Sequence, residues 1–222
     1  MSRNRSAEFG LLVLIAVACV WSSKAIASDC SSDMVAVEDF CIDRYEAPNT
    51  GAGFPLVMYT LNEAEVWCSA RGRRLCFDDE WTRACEGASG LSYPYGNTHV
   101  PGLCNDDETW LSYNQTLLNQ WPMGVSGPDV ESFAELLAAA RAVSGSAAAS
   151  ADHVENLYQA EPAGSNAACI SSDGVIDLCG NAEEWTRRRD GGTPGFSGNL
   201  KGRYWAETRT CQQSVTSNGD SY

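Results

Sequence analysis

The first hydrophobic feature of the chain is an uninterrupted apolar run from Gly10 to Trp21, with Arg3 and Arg5 before it and Ala25-Ile26-Ala27 after it. A positive start, a short apolar stretch and an A-x-A-like site read as a secretory signal over residues 1–28. The run is short for a bilayer core of ~30 Å. An uncleaved anchor and lipoprotein processing at Ala18-Cys19 are the alternatives, the latter with Ala16 where a larger aliphatic residue is expected. Beyond it, Met34-Val35-Ala36-Val37 and Phe40-Cys41-Ile42 alternate and are β-branched, which predicts a short strand or hairpin. Residues 49–53, between Pro48 and Pro55, predict a loop. Thr60 followed by Glu63, then Ala64, Val66, Trp67 and Ala70, predicts a capped helix that Gly72 ends. Asp78-Asp79-Glu80-Trp81 opens a second helix, with acids at its positive end and Arg83 further along.

The pattern then loosens. Residues 111–165 read as a surface insertion of low information content, in which Phe133 to Ala142 is a good helix former and Ser144 to Ala151 reads as flexible. Asn114-Gln115-Thr116 matches a glycosylation sequon. From Ala167 the pattern tightens again, and Leu200 to Trp205 reads as a strand entering a loop toward Cys211. Short irregular strands, long loops and two or three helices predict one α+β domain over residues 29–222, without internal repeats.

Charge narrows the function classes. With 15 Lys+Arg against 29 Asp+Glu, the net charge of −14 argues against nucleic acid or an anionic membrane surface as partner. The two histidines, His99 and His153, cannot build a His-rich metal centre. Ten cysteines are many for a cytosolic chain, and with an export signal they predict disulfides and a secreted or periplasmic location without membrane insertion after cleavage. Cys19 leaves with the signal, so an odd number remains.

Four segments together, FCIDRYEAPN (40–49), WCSARGRRLCFDDEWTRACEG (67–87), YPYG (93–96) and GVIDLCGNAEEW (174–185), resemble in order and spacing the sulfatase-modifying-factor family, the fold of formylglycine-generating enzyme. The resemblance implies a loop-rich domain related to C-type lectins and often calcium-bound. The family includes copper-dependent oxidases that convert a sulfatase cysteine to formylglycine, iron enzymes of thiohistidine synthesis, and members without established catalysis.

Two carboxylates and two carbonyls around a Gly-Asn turn are hard oxygen ligands suited to Ca²⁺ at ~2.3–2.6 Å. By the resemblance, Asp177 and Glu184 bind through side chains and Gly180 and Ala182 through carbonyls; Asn105 resembles a ligand of the family's other calcium site. Without metal, Glu184 and Asn181 are turn-forming residues. Trp67, Trp81 and Trp185 read as core. Arg71, Arg73 and Arg74 read as a solvated helix end, or as partners of Asp78-Asp79. Asp43 and Glu46 are paired carboxylates whose segment is structural in the family.

The family's copper oxidase uses two cysteines about five residues apart after a Gly-Gly-Ser-like strand, because thiolates select Cu(I). In the corresponding Gly202–Cys211 stretch Ala206 stands for the first, and Cys211 aligns with the second or with a structural cysteine. Copper chemistry is therefore not expected. By the resemblance Cys85 pairs with Cys211, and Cys68 with a cysteine of a C-terminal Gly-Phe-Arg-Cys segment. The chain reaches Tyr222 without one, which implies a free Cys68 and a truncated end. Cys30 with Cys41, Cys76 with Cys104, and Cys169 with Cys179 are plausible further pairs. The expectation is an exported, calcium-stabilised, non-catalytic binding or structural module for a protein, peptide or glycan ligand. The rivals are a divergent formylglycine-generating oxidase acting on sulfatase cysteines, and a lectin-like carbohydrate binder.

Overall fold

The computed structural model describes residues 30–191, 196–217 and 219. The expected signal therefore lies outside the described residues. Strands β1 (Met34–Val37) and β2 (Phe40–Asp43) form an antiparallel hairpin with Val37 opposite Phe40. Alternation sends Val35, Val37 and Ile42 into the core. Helix α1 (Leu61–Ala70) starts at the expected capping box: Thr60 Oγ1 accepts from Glu63 N at 3.3 Å and Glu63 Oε2 from Thr60 N at 2.9 Å. Helix α2 (Asp78–Glu86) begins with three acids, and Glu80 turns back to accept from Phe77 N at 2.9 Å. Trp81, Ala84 and Cys85 of α2 pack with Val35, Val37, Ile42, Val175, Leu178 and Cys211 into the principal core.

Three further helices, α3 (Gln115–Leu118), α4 (Phe133–Val143) and α5 (Gly145–Leu157), follow. The stretch from Ser144 to Ala151, expected to be flexible, is instead the start of α5, and the residues around it are no loose insertion. Ser144 ends α4 and caps α5, its hydroxyl accepting from Ala147 N at 3.1 Å. Ala147, Ser150 and Ala151 are buried, and α4 and α5 share a second core of Phe133, Leu136, Leu137, Ala140, Ala151 and Val154 with Trp121 and Val130. Small residues allow that close packing, and alanine has the highest helix propensity. Arg141 bridges the two helices through Asp152 and Glu155.

Strands β3 (Glu184–Arg187), β4 (Gly198–Lys201) and β5 (Val215–Ser217) form an antiparallel sheet in that order. The mixed helix and sheet content agrees with an α+β reading. No helix among the described residues is long and apolar enough to cross a membrane.

Three disulfides are present among the described residues: Cys30–Cys41, Cys85–Cys211 and Cys104–Cys169. The third corrects two expected pairs, Cys76–Cys104 and Cys169–Cys179. The fold brings Cys104 to Cys169 across 65 residues, with Cα atoms 5.0 Å apart, and Cys179 packs in the same small cluster without bonding. Cys76 faces away from it into an inner cavity and, like Cys68 and Cys179, is a free thiol.

The arginines after α1 are not a free basic spot, and one of them, Arg74, reaches the acidic segment that opens α2. Arg73 pairs with Asp33 and Asp43, and Arg74 with Glu80 at 2.7 Å. Arg71 stacks on Trp67 and donates to the carbonyls of Pro128 and Val130. These contacts tie α1 to the hairpin, to α2 and to the segment leading into α4.

Candidate functional site

The Gly-Asn turn between Ile176 and β3 brings most of the expected ligand residues together. Asp177, Gly180 and Asn181 all have left-handed backbone, with φ of 62°, 75° and 57°, so the chain curls tightly. The curl is held from inside by Glu46, whose Oε1 accepts from Ala182 N at 2.7 Å and Oε2 from Asn181 Nδ2 at 2.5 Å. Asn181 Oδ1 accepts from Glu161 N and from Asn105 Nδ2, at 2.8 and 3.0 Å. Asn105 Nδ2 also donates to Gln159 O, so Asn105 packs against this same turn. Asp177 Oδ2 accepts from Gly164 N at 2.8 Å. Glu46 thus has a specific bonding role, as the buried anchor of the turn.

Three carboxylates, Asp177, Glu184 and Glu46, lie close by here, and among the described residues no basic side chain bonds to them. Burial pushes Asp177 up to about 6, with the Glu161 charge adding to it. Burial, with repulsion from Asp177 and Asp43, pushes Glu184 up to about 7. Glu46 stands well above the usual carboxylate range through burial and the charges of Glu184 and Asp177. Among the described residues no three His, Cys, Asp or Glu side chains converge as a metal-holding group. The expected set does not require that, since two of its four oxygens are carbonyls. Hard oxygen donors beside buried, mutually repelling carboxylates fit a divalent cation such as calcium.

Glu184 is surrounded by protein yet keeps some accessible surface, because it lines a cavity of about 170 Å³ behind the turn. Cys68 and Cys76 line it too. Burial raises the three free thiols among the described residues: Cys68 to about 11, Cys179 to about 12, and Cys76 further. Protonated thiols are poor nucleophiles and poor copper ligands.

On the outer side of β3 lies a larger groove of about 820 Å³. Its walls come from segments far apart in sequence: Trp110 and Tyr113, Tyr158 after α5, Trp185 on β3, and Tyr204-Trp205 after β4. The rings touch in series. Tyr113 and Trp110 have centroids 6.4 Å apart, Trp110 and Tyr204 5.6 Å, Tyr204 and Trp205 5.7 Å, and Trp205 and Tyr158 5.4 Å. Trp110 and Tyr113 are 52% and 53% exposed, and Met123 at the rim is 87% exposed. Trp110 and Tyr113 give the groove an exposed aromatic end, while Tyr204, Trp205 and Tyr158 are half-buried, Tyr158 stacking on Phe133 of the second core. A concave aromatic lining of this kind suits ligand binding.

The groove also decides the status of the Gly202–Cys211 stretch. Among the described lining residues there is no cysteine and no histidine. Cys211, at the end of the loop, is buried and bonded to Cys85. Trp67 and Trp81 are core, as expected, whereas Trp185 lines both the inner cavity and the groove. The groove was missed because its residues fall in loops and in the stretch taken as uninformative. The available signals were aromatic clusters outside any helical spacing, at 110–113 and 204–205.

A family model described as the Sulfatase-modifying factor enzyme 1-like domain matches residues 18–221. A bovine (Bos taurus) protein named Inactive C-alpha-formylglycine-generating enzyme 2 is 40% identical over 53 residues, which is 23% of this chain and 18% of that protein. The mouse (Mus musculus) protein of the same name is 40% identical over 52 residues, 23% of this chain and 17% of that protein.

Proposed function

The chain belongs to the sulfatase-modifying factor enzyme 1-like family, and from that premise we propose that it is an exported, non-catalytic binding module whose ligand lies in the aromatic groove. The observation that carries the reading is the composition of the groove: its described lining holds aromatic rings and no cysteine, Ala206 follows Tyr204-Trp205 where the resemblance puts the first thiolate of an oxidase, and the nearby Cys211 is locked to Cys85. The word "inactive" in the names of the two relatives points the same way over the short stretch they share. Three disulfides support an oxidising compartment, and with the apolar start of the chain they support export. The hairpin, loops and small sheet are compatible with the C-type-lectin-like fold implied by the resemblance.

Incubation with Cu(I), oxygen and a Cys-x-Pro-x-Arg peptide tests the absence of oxidase activity. The expected result is no aldehyde; formation of formylglycine overturns the reading in favour of a divergent oxidase.

Calcium belongs to the same proposal, held by Asp177, Glu184 and the carbonyls of Gly180 and Ala182, with Asn105 supporting the turn through Asn181. Burial and the neighbouring Glu184 and Asp177 disfavour the charged form of Glu46, and a cation at the turn would offset that repulsion. EGTA is expected to lower the melting temperature, and Glu184→Ala to abolish that response. A ligand at a hundredfold excess over its Kd stabilises by about 2.7 kcal/mol, so the shift is measurable by calorimetry. An identical melting curve with and without chelator rejects the site.

A further inference from the structure

Building on the binding-module reading, we propose that the groove takes a neutral oligosaccharide. The first argument is charge. Glu183 is the one charged side chain among the described lining residues, and it is neutralised by Arg209 at 2.5 Å and Arg203 at 3.6 Å. A charged ligand therefore finds no free counter-charge in the groove, and the net charge of −14 repels anionic polymers before they reach it.

The second argument is surface chemistry. The rings from Tyr113 through Trp110, Tyr204 and Trp205 to Tyr158 follow one another at steps of 5.4–6.4 Å, with Trp110 and Tyr113 exposed and the other three half-buried. Sugar rings offer apolar C–H faces to stack on such rings and a polar rim for hydrogen bonding. The lining supplies polar groups in the amides of Gln115 and Asn119, which are joined by a bond from Gln115 Nε2 to Asn119 Oδ1 at 2.8 Å and offer Gln115 Oε1 and Asn119 Nδ2 to a ligand. A volume of about 820 Å³ accepts more than one sugar ring.

An extended peptide is the competing neutral occupant; it docks either along a free strand edge or, as a polyproline-type segment, on aromatic side chains. The strand entering the groove is β3, through Trp185, and it pairs with β4 on one side and meets Phe77 at Arg187 on the other. Strand addition is thereby limited to the stretch of β3 before Arg187, and a peptide stacking on the rings is the outcome that the competition below separates from a sugar.

The test uses the oxidised mature chain and a set of neutral hexasaccharides (cellohexaose, chitohexaose, xylohexaose and mannohexaose), read by titration calorimetry and tryptophan fluorescence. At least one is expected to bind and alter the fluorescence. Trp110→Ala and Tyr204→Ala are each expected to weaken it about tenfold, the scale of one lost ring contact. Trp110 is half exposed, so its replacement leaves the melting temperature near that of the parent. Absence of binding by every hexasaccharide, binding indifferent to both substitutions, or occupation of the groove by heparin or by an apolar peptide in preference overturns the inference. None of these outcomes produces an aldehyde, so the oligosaccharide proposal and the non-catalytic reading fail by separate results.

Discussion

Gly180→Ala is expected to destabilise the domain by about 3–5 kcal/mol, a large share of an ordinary domain's stability of about 5–15 kcal/mol. The residue has φ +75°, and a Cβ built there meets Asn105 O at 2.2 Å, Asn105 C at 2.7 Å and Asp106 Cβ at 2.9 Å. The nearest atoms belong to the backbone, so no rotamer change makes room. Asn105 cannot retreat cheaply, because its carbonyl accepts from Asn181 N at 2.7 Å and the neighbouring Cys104 is bonded to Cys169. The left-handed backbone alone costs an alanine about 1–2 kcal/mol, and the overlap supplies the rest. Gly72→Ala is the control: its φ is +68°, but nothing lies within 4 Å of the added carbon. Denaturant melts of the two variants separate backbone strain from overlap, and equal losses would show that the close approach of residues 105 and 180 does not matter. The same substitution disturbs the 180 and 182 carbonyls and is expected to remove the response to EGTA as well.

How much of this was legible in the sequence follows from how local each feature is. The capping box of Thr60 and Glu63 and the acids opening α2 act over one turn, and both stand where expected. The hairpin was also readable, because Glu38 and Asp39 connect two alternating segments that pair directly. Ser144 to Ala151 was misread because serine and glycine among alanines look like a linker. The capping role of Ser144 and the burial of Ala147 and Ala151 against α4 turn the same residues into a helix.

Long-range features divide differently. The Cys85–Cys211 pair came from the family resemblance, and the segments that carry that resemblance are the ones that build the principal core and the Gly-Asn turn. Cys104–Cys169 and the groove were not legible, since each is assembled from segments whose juxtaposition is set by the packing of α3 to α5 against the rest. Glu46 lies between these cases. It was assigned to a structural segment, but its particular partners, Asn181 and Ala182, lie 135 and 136 residues away.

Cys85→Ala/Cys211→Ala is expected to cost about 5 kcal/mol, the largest effect of removing any one of the three bridges. The bond spans 126 residues, so its loss releases the most chain entropy in the unfolded state, whereas Cys30–Cys41 spans 11 and is worth about 3 kcal/mol on the same relation. Native-state packing adds to the difference. Both sulfurs are in the core beside Trp81, and Cys211 N donates to Ser92 O at 2.8 Å. Cys211 O accepts from the buried ammonium of Lys201 at 3.2 Å. Releasing the bond therefore loosens α2, the groove loop and the lysine that joins them. Chemical denaturation of this double variant beside Cys30→Ala/Cys41→Ala gives the comparison, and a smaller loss for the longer bridge would sink the argument. A cost near 5 kcal/mol is comparable to the whole stability of many domains. Such a domain folds durably only where its thiols are oxidised, so the magnitude of this one loss bears directly on the compartment in which the groove can meet its ligand.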